Sequence, residues 1–232
     1  MIGIIGAMEV EVTKLRDAMK IEKIDTVAGM NFAVGELCGT KIVLVQSGVG
    51  KVNAAICAQI LCDRYEVSCI VNSGIAGSLS AEINIGDIVI STDALQHDMD
   101  ARYFGYEPGI IPQQEVSVFP ADEKLAELAE RVCKEVNPDI NVFRGRVLSG
   151  DQFIAEKAKK QWLSDTFGGM CTEMEGAAMA HAAYRNGVPF LILRAISDKA
   201  DDSATEDYST FEAKAIEHMV KLTMGFLKAL PA

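Results

Sequence analysis

The sequence predicts an α/β fold in which a mixed sheet carries helices on both faces, all in one domain. Three observations lead there. Short apolar runs recur at residues 2–5, 69–73 and 190–193, each the length of a strand buried on both sides. Amphipathic stretches of helical period lie between them. The 232 residues suffice for one sizeable core, and no repeat, low-complexity tract or linker divides residues 1–232.

Composition narrows the class. Hydrophobic residues make up 49% and charged residues 24%, the balance of a globular protein. No run approaches the roughly 18 uninterrupted apolar residues of a membrane helix. The opening Met1-Ile-Gly-Ile-Ile-Gly6 has no basic flank or small-residue cleavage site, so it reads as a first strand and not as a signal peptide. A net charge of −11 disfavours nucleic acid and anionic membranes as partners. The six cysteines show no C-x-x-C spacing, which suits a reduced, cytoplasmic protein. None of the three histidines has a ligand-like partner four residues on, and no metal is expected.

Taken in order, residues 2–5 form a buried strand and 10–19 a helix, with Val12, Leu15 and Met19 on one face. Glu9 and Glu11 fall in its first turn, where acids are favoured by the helix dipole whatever else they do. Residues 31–37 and 41–46 form a hairpin about Gly39-Thr40. Ser47-Gly-Val-Gly-Lys51 then opens a helix to about residue 63. It is not a P-loop, because the first glycine is misplaced and Val52 replaces Ser or Thr. Residues 69–73 are a strand, and Gly74-Ile-Ala-Gly-Ser78 is either a surface for a flat ligand or an ordinary tight turn. A strand at 87–92 leads to Gln96-His-Asp-Met-Asp100, better read as a polar loop than as metal ligands. Residues 101–119 read as a long aromatic loop, the kind that serves function or an interface. Asp122 caps a helix to Val136, ended by Asn137-Pro138. A charged strand follows at 142–148, then a helix at 155–165. Gly168-Gly169 breaks the chain before Thr172-Glu-Met-Glu175, and an alanine-rich helix spans 176–186. The strand at 190–198 buries Arg194 and ends on Asp198. A polar stretch at 201–207 precedes the last helix, 210–230.

Charge inside a buried strand is costly unless it is paired or used. Ligands of open α/β sheets sit beyond the carboxyl ends of strands, which is where Asp198 lies; a structural Arg–Asp pair or a helix cap is the plainer alternative. Glu9, Glu11, Asp151, Glu173, Glu175 and Asp198 all fall at strand ends or helix starts. No Ser-His-Asp or Cys-His set accompanies them. Glycosyl chemistry runs on two carboxyl groups, one protonating the leaving group and one activating water. Negative charge also stabilises its oxocarbenium-like transition state. From the residues alone this reaches a carboxylate-lined site at the sheet edge, and no substrate.

Six motifs then carry a resemblance: Ile4-Ile-Gly-Ala-Met-Glu-Val-Glu11, Ser47-Gly-Val-Gly-Lys-Val52, Asn72-Ser-Gly-Ile-Ala-Gly77, Ser149-Gly-Asp-Gln-Phe-Ile154, Glu173-Met-Glu175 and Arg194-Ala-Ile-Ser-Asp198. Together, over nearly the whole chain, they resemble the 5′-methylthioadenosine/S-adenosylhomocysteine nucleosidases of the nucleoside phosphorylase superfamily. The resemblance implies a single three-layer α/β/α sandwich with a twisted, partly closed mixed sheet. It implies Asp198 as general acid at adenine N7 and Glu11 as the group activating water. Glu175 would accept bonds from the ribose hydroxyls, Met174 and Met8 would pack on the sugar, and Arg194 would support that region. Phe153 would stack on adenine and the Ile154 backbone read its edge, with Ala76, Gly77 and Ser197 also lining the substrate site. Tyr208 would line the 5′-alkylthio pocket, and Ala101, Phe104 and Pro112 would close it from the other subunit of a homodimer. No cofactor is implied. Ile75 departs from relatives that carry a hydroxyl there, which removes a possible side-chain hydrogen bond.

The expected reaction is hydrolysis of 5′-methylthioadenosine and S-adenosylhomocysteine, with 5′-deoxyadenosine as a further substrate. Aminodeoxyfutalosine cleavage and purine nucleoside phosphorolysis are the enzymatic alternatives. Carboxylates in the first loop repel phosphate, which favours water as nucleophile. A catalytically silent nucleoside-binding module would have no need of a water-activating acid.

Overall fold

Strand β1 (Ile2–Gly6) is buried at every position and lies between two parallel neighbours, β4 (Thr40–Gln46) and β5 (Cys69–Ser78), in the computed structural model. The structure describes residues 1–201 and 204–230. Helix α1 (Glu9–Ala18) follows β1, and β2 (Lys20–Val27) and β3 (Met30–Leu37) precede β4. Helix α2 (Lys51–Tyr65) leads to β5, and β6 (Ile88–Gln96) leads through a single 3-10 turn, Arg102–Phe104, to β7 (Val118–Pro120). Then come α3 (Glu123–Val136), β8 (Val142–Ser149), α4 (Lys157–Phe167), β9 (Cys171–Glu173), α5 (Gly176–Arg185), β10 (Phe190–Asp198) and α6 (Ala204–Ala229).

The strands run in the order β10-β6-β8-β9-β5-β1-β4-β3-β2, with β7 beside β6. Because β10 also pairs with β5, the strands β5, β10, β6, β8 and β9 close into a ring. Strands β1, β4, β3 and β2 extend from it as an open wing. Parallel pairs (β5 with β10, β6 with β8) and antiparallel ones (β6 with β10, β5 with β9) make the sheet mixed.

Alternation along the central strands sets the three layers, since successive side chains leave a strand on opposite faces. Ile5, Ile70 and Ile192 pack with Ala54, Leu61, Met179 and Ala183 of α2 and α5. Their neighbours Ile4, Val71 and Leu191 pack with Leu15, Val132 and Phe226 of α1, α3 and α6. A sheet covered on both faces needs strands apolar throughout, which is why these runs stand out in the sequence. The alanines of α5 let it lie close on α2. Asp122 caps α3 as expected, accepting from Leu125 N at 3.0 Å.

The short strands β7 and β9 are absent from the sequence reading, and three further elements differ from it. Strand β2 escapes it because Lys20, Glu22, Lys23 and Asp25 interrupt the pattern, and the strand is largely exposed. Strand β5 runs on through Ser78, where a turn was one reading, because β10 and β9 both pair with that segment. Helix α6 begins at Ala204, inside the stretch read as polar loop, of which residues 202–203 lie outside the described residues. Among the described residues no helix is long and apolar enough to cross a membrane.

Candidate active site

Glu11 reaches the end of β1 because α1 starts immediately after it. The carboxylate accepts from Ala7 N at 2.7 Å and Met8 N at 2.9 Å through Oε2, and from Ile75 N at 3.1 Å through Oε1. Two of these close the first turn of the helix, in the manner of a capping box; the third ties α1 to β5. Burial pushes the Glu11 pKa up, against the pull of the Arg194 charge and the three N–H groups. Gly74 makes room for it: a Cβ there would stand 2.5 Å from Glu11 Oε1.

Behind the cavity lies a fully buried polar knot. Arg194 pairs with Glu173 and donates to the Asn72 side chain, and its Nη1 donates to the carbonyls of Asn72 and Leu193. Glu173 also accepts from Ser149 Oγ, from Gly176 N at 2.7 Å and from Glu175 N at 3.1 Å. The charge inside the strand is therefore paired and hydrogen-bonded, the condition under which burial is tolerated. The knot fixes the turn into α5 and so aims Glu175, whose Oε1 accepts from Gly50 N at 2.8 Å. Burial, reinforced by the neighbouring Glu173 charge, pushes Glu175 up to about 7.

Asp198 sits where the pairing of β10 with β5 slips by one residue, a bulge that re-aims a side chain. It accepts from Ser197 Oγ at 2.9 Å and Ala200 N at 2.8 Å. Burial raises its pKa despite these two bonds. A Cβ at Gly77 would lie 2.6 Å from Asp198 Oδ1.

Glu11, Glu173, Glu175 and Asp198 converge on a cavity of about 330 Å³, bounded also by Met8, Ala76, Gly77, Phe153, Met174, Ser197 and Tyr208. Larger hollows exist elsewhere on the molecule, but they lack this convergence. Phe153 is half exposed at the mouth, edge-on to Tyr208 with ring centres 6.1 Å apart. The Tyr208 hydroxyl donates to Glu212 Oε1 at 2.8 Å. The site thus offers a carboxyl acid, a second carboxylate fixed by backbone donors, a third near neutrality, and apolar walls. Among the described residues no group of three or more His, Cys, Asp or Glu side chains is placed to hold a metal ion.

Of the site residues expected from sequence, two stand back from the cavity. Arg194 lies behind it, and the Ile154 side chain is buried with Leu148, Leu163 and Phe167. Ala101, Phe104 and Pro112 do not line it; Phe104 is exposed. Glu9 points away and pairs with Arg16, so the first-loop charge facing the cavity is that of Glu11 alone. Asp151 accepts from Lys51 N at the start of α2. Sequence reasoning missed the contributions of Asn72, Ser149 and the Gly50 amide. Asn72 carried a signal, as an amide in an otherwise apolar run; the Gly50 amide carried none, since backbone donors have no side-chain signature.

A family model described as the phosphorylase superfamily matches residues 1–228. The 5′-methylthioadenosine/S-adenosylhomocysteine nucleosidase of Shewanella halifaxensis (strain HAW-EB4) is 37% identical over 230 residues, 99% of each chain. The like-named nucleosidase of Neisseria meningitidis, solved in complex with methylthio-immucillin-A, is similar in structure with a TM-score of 0.94 at 34% identity, covering 99% of both chains. The futalosine hydrolase of Helicobacter pylori strain 26695 is similar at a TM-score of 0.92 and 31% identity, covering 99% of this chain and 97% of that one.

Proposed function

The chain belongs to the phosphorylase superfamily, among the 5′-methylthioadenosine/S-adenosylhomocysteine nucleosidases, and on that premise we propose how its site works. It is an N-glycosyl hydrolase. Its reaction cleaves the N-glycosidic bond of 5′-methylthioadenosine and S-adenosylhomocysteine, releasing adenine and a 5-thioribose. That serves methionine salvage and the recycling of S-adenosylmethionine by-products, with the whole chain acting as one nucleosidase domain in the cytoplasm.

The observation that carries the mechanism is the convergence of Glu11, Glu175 and Asp198 on one cavity. Asp198, whose neutral form burial favours, is placed to give a proton to adenine N7 as the bond to the sugar breaks. Glu11, held by three N–H groups, orients the attacking water and takes its proton. Its negative charge also stabilises the oxocarbenium-like sugar. Glu175 accepts from the ribose hydroxyls, and Arg194 with Glu173 keeps it in place. Met8 and Met174 pack on the sugar, Phe153 stacks on adenine, and the Ile154 backbone reads the base edge. Ala76, Gly77 and Ser197 complete the wall around base and sugar. Tyr208 faces the 5′-substituent, and Ala101, Phe104 and Pro112 of a second copy close that end in a homodimer. Ile75 keeps the contact that matters, since its backbone N–H, and no side-chain hydroxyl, binds Glu11.

Adenine release from 5′-methylthioadenosine, measured with and without phosphate, tests this reading. Equal release in both supports hydrolysis. Release only with phosphate, with 5-methylthioribose 1-phosphate as product, would make the chain a purine nucleoside phosphorylase and remove the role given to Glu11. Aminodeoxyfutalosine stands as the alternative substrate, beside the likeness to a futalosine hydrolase, and the same adenine-release assay can score it.

A further inference from the structure

Glu175 is held on one side by the buried knot and on the other by a single backbone donor, Gly50 N. What holds Gly50 therefore bears on the cavity. Gly50 has φ +98°, and a Cβ there would approach Asp151 Oδ1 to 3.1 Å, so the loop has little freedom in how it passes. The beginning of the arc is tied to β1 and the turn after it, by Ser47 N to Gly6 O and Gly48 N to Ala7 O. Its end is tied by a closed circuit of three loops. Lys51 Nζ donates to Asp98 Oδ1 at 2.6 Å and to Gln96 Oε1 at 3.2 Å. Asp98 Oδ2 accepts from Asp151 N at 3.0 Å, and Asp151 Oδ1 accepts from Lys51 N at 2.8 Å.

The Lys51 and Asp98 side chains retain only 18% and 17% of their exposure. An ion pair so shielded cannot lose one partner without leaving the other charge stranded. The circuit also meets Asp151, two residues before Phe153. We propose that Lys51 and Asp98 are positioning residues: they clamp the start of α2 so that the Gly50 amide stays on Glu175, and they hold the 149–154 loop beside it. Neither touches the cavity. Their effect on turnover runs through Glu175, and that part rests on the nucleosidase reading.

Two measurements on the full chain test the clamp. Amide hydrogen exchange needs no substrate. In Asp98→Asn and Lys51→Met the amides of Gly50 and Lys51 exchange at least about tenfold faster while those of β5 keep their protection; Lys51→Arg restores slow exchange. Unchanged exchange at Gly50 overturns the proposal. In the kinetic arm, Asp98→Asn raises KM for 5′-methylthioadenosine about tenfold, and in a Glu175→Gln background the same change costs less than about threefold, the signature of a shared path. Additive losses overturn it. A wild-type chain that releases no adenine defeats the nucleosidase reading instead, and exchange at Gly50 still decides the clamp.

Discussion

Glu175 gives the site its sensitivity to pH. Burial and the Glu173 charge hold its pKa at about 7, and the ionised form, with no O–H of its own, accepts more strongly from sugar hydroxyls. Substrate affinity should therefore rise between about pH 6 and 8, and Glu175→Gln should flatten that rise; titration calorimetry on Glu11→Gln, which should bind without turning over, reads the rise displaced to lower pH, because the Glu11 charge also raises Glu175. Stability moves the other way. A carboxyl group whose pKa is raised by folding, here from 4.5 to about 7, adds stability below the lower value that is lost as pH climbs through the upper one. At this scale the sequence was largely legible. Glu11, Glu175 and Asp198 stood where strands end, and the motifs assigned them roles. Glu173 was noticed but given no role, because its task is to neutralise the buried Arg194 from the cavity's inner wall. Only the fold shows that residues 21 positions apart form that pair.

Among elements, β5 does most for the site. Its second half, Gly74 to Ser78, looks like a turn to a reader of local sequence, since glycines weaken a strand. It holds as strand because β10 and β9 pair with it, and its glycines are the places where neighbouring carboxylates approach. Gly74→Ala should show this. The new methyl would push Glu11 off the Ile75 amide, and a displacement near 1 Å in a reacting group costs on the order of 100-fold in rate. Turnover should fall by about that factor while the thermal midpoint shifts by only a few degrees; a near-normal rate would mean that Glu11 need not hold its place. Strand β2 was illegible for the opposite reason. Its position at the rim leaves it half wet, so no apolar period marks it.

At the scale of the whole molecule, an aromatic pair stands out from the surface. Tyr103 and Phe104 are 102% and 84% exposed, and they sit on the segment that would complete a neighbour's pocket. Light scattering should give a particle of twice the 25.0 kDa chain, and Phe104→Ser should weaken both dimer and substrate affinity together; a fully active monomer would exclude the shared site. The segment's aromatic content was plain in the sequence, but its exposure was not. The closed ring of five strands has one more consequence. A ring has no free border, so the long border of unpaired backbone falls at β2, where Lys20, Glu22, Lys23 and Asp25 stand within six positions. An incoming strand would have to accommodate all four charges to extend the sheet. The feature that hid β2 from pattern reading thus also guards the protein against templated fibre growth and aggregation at high concentration.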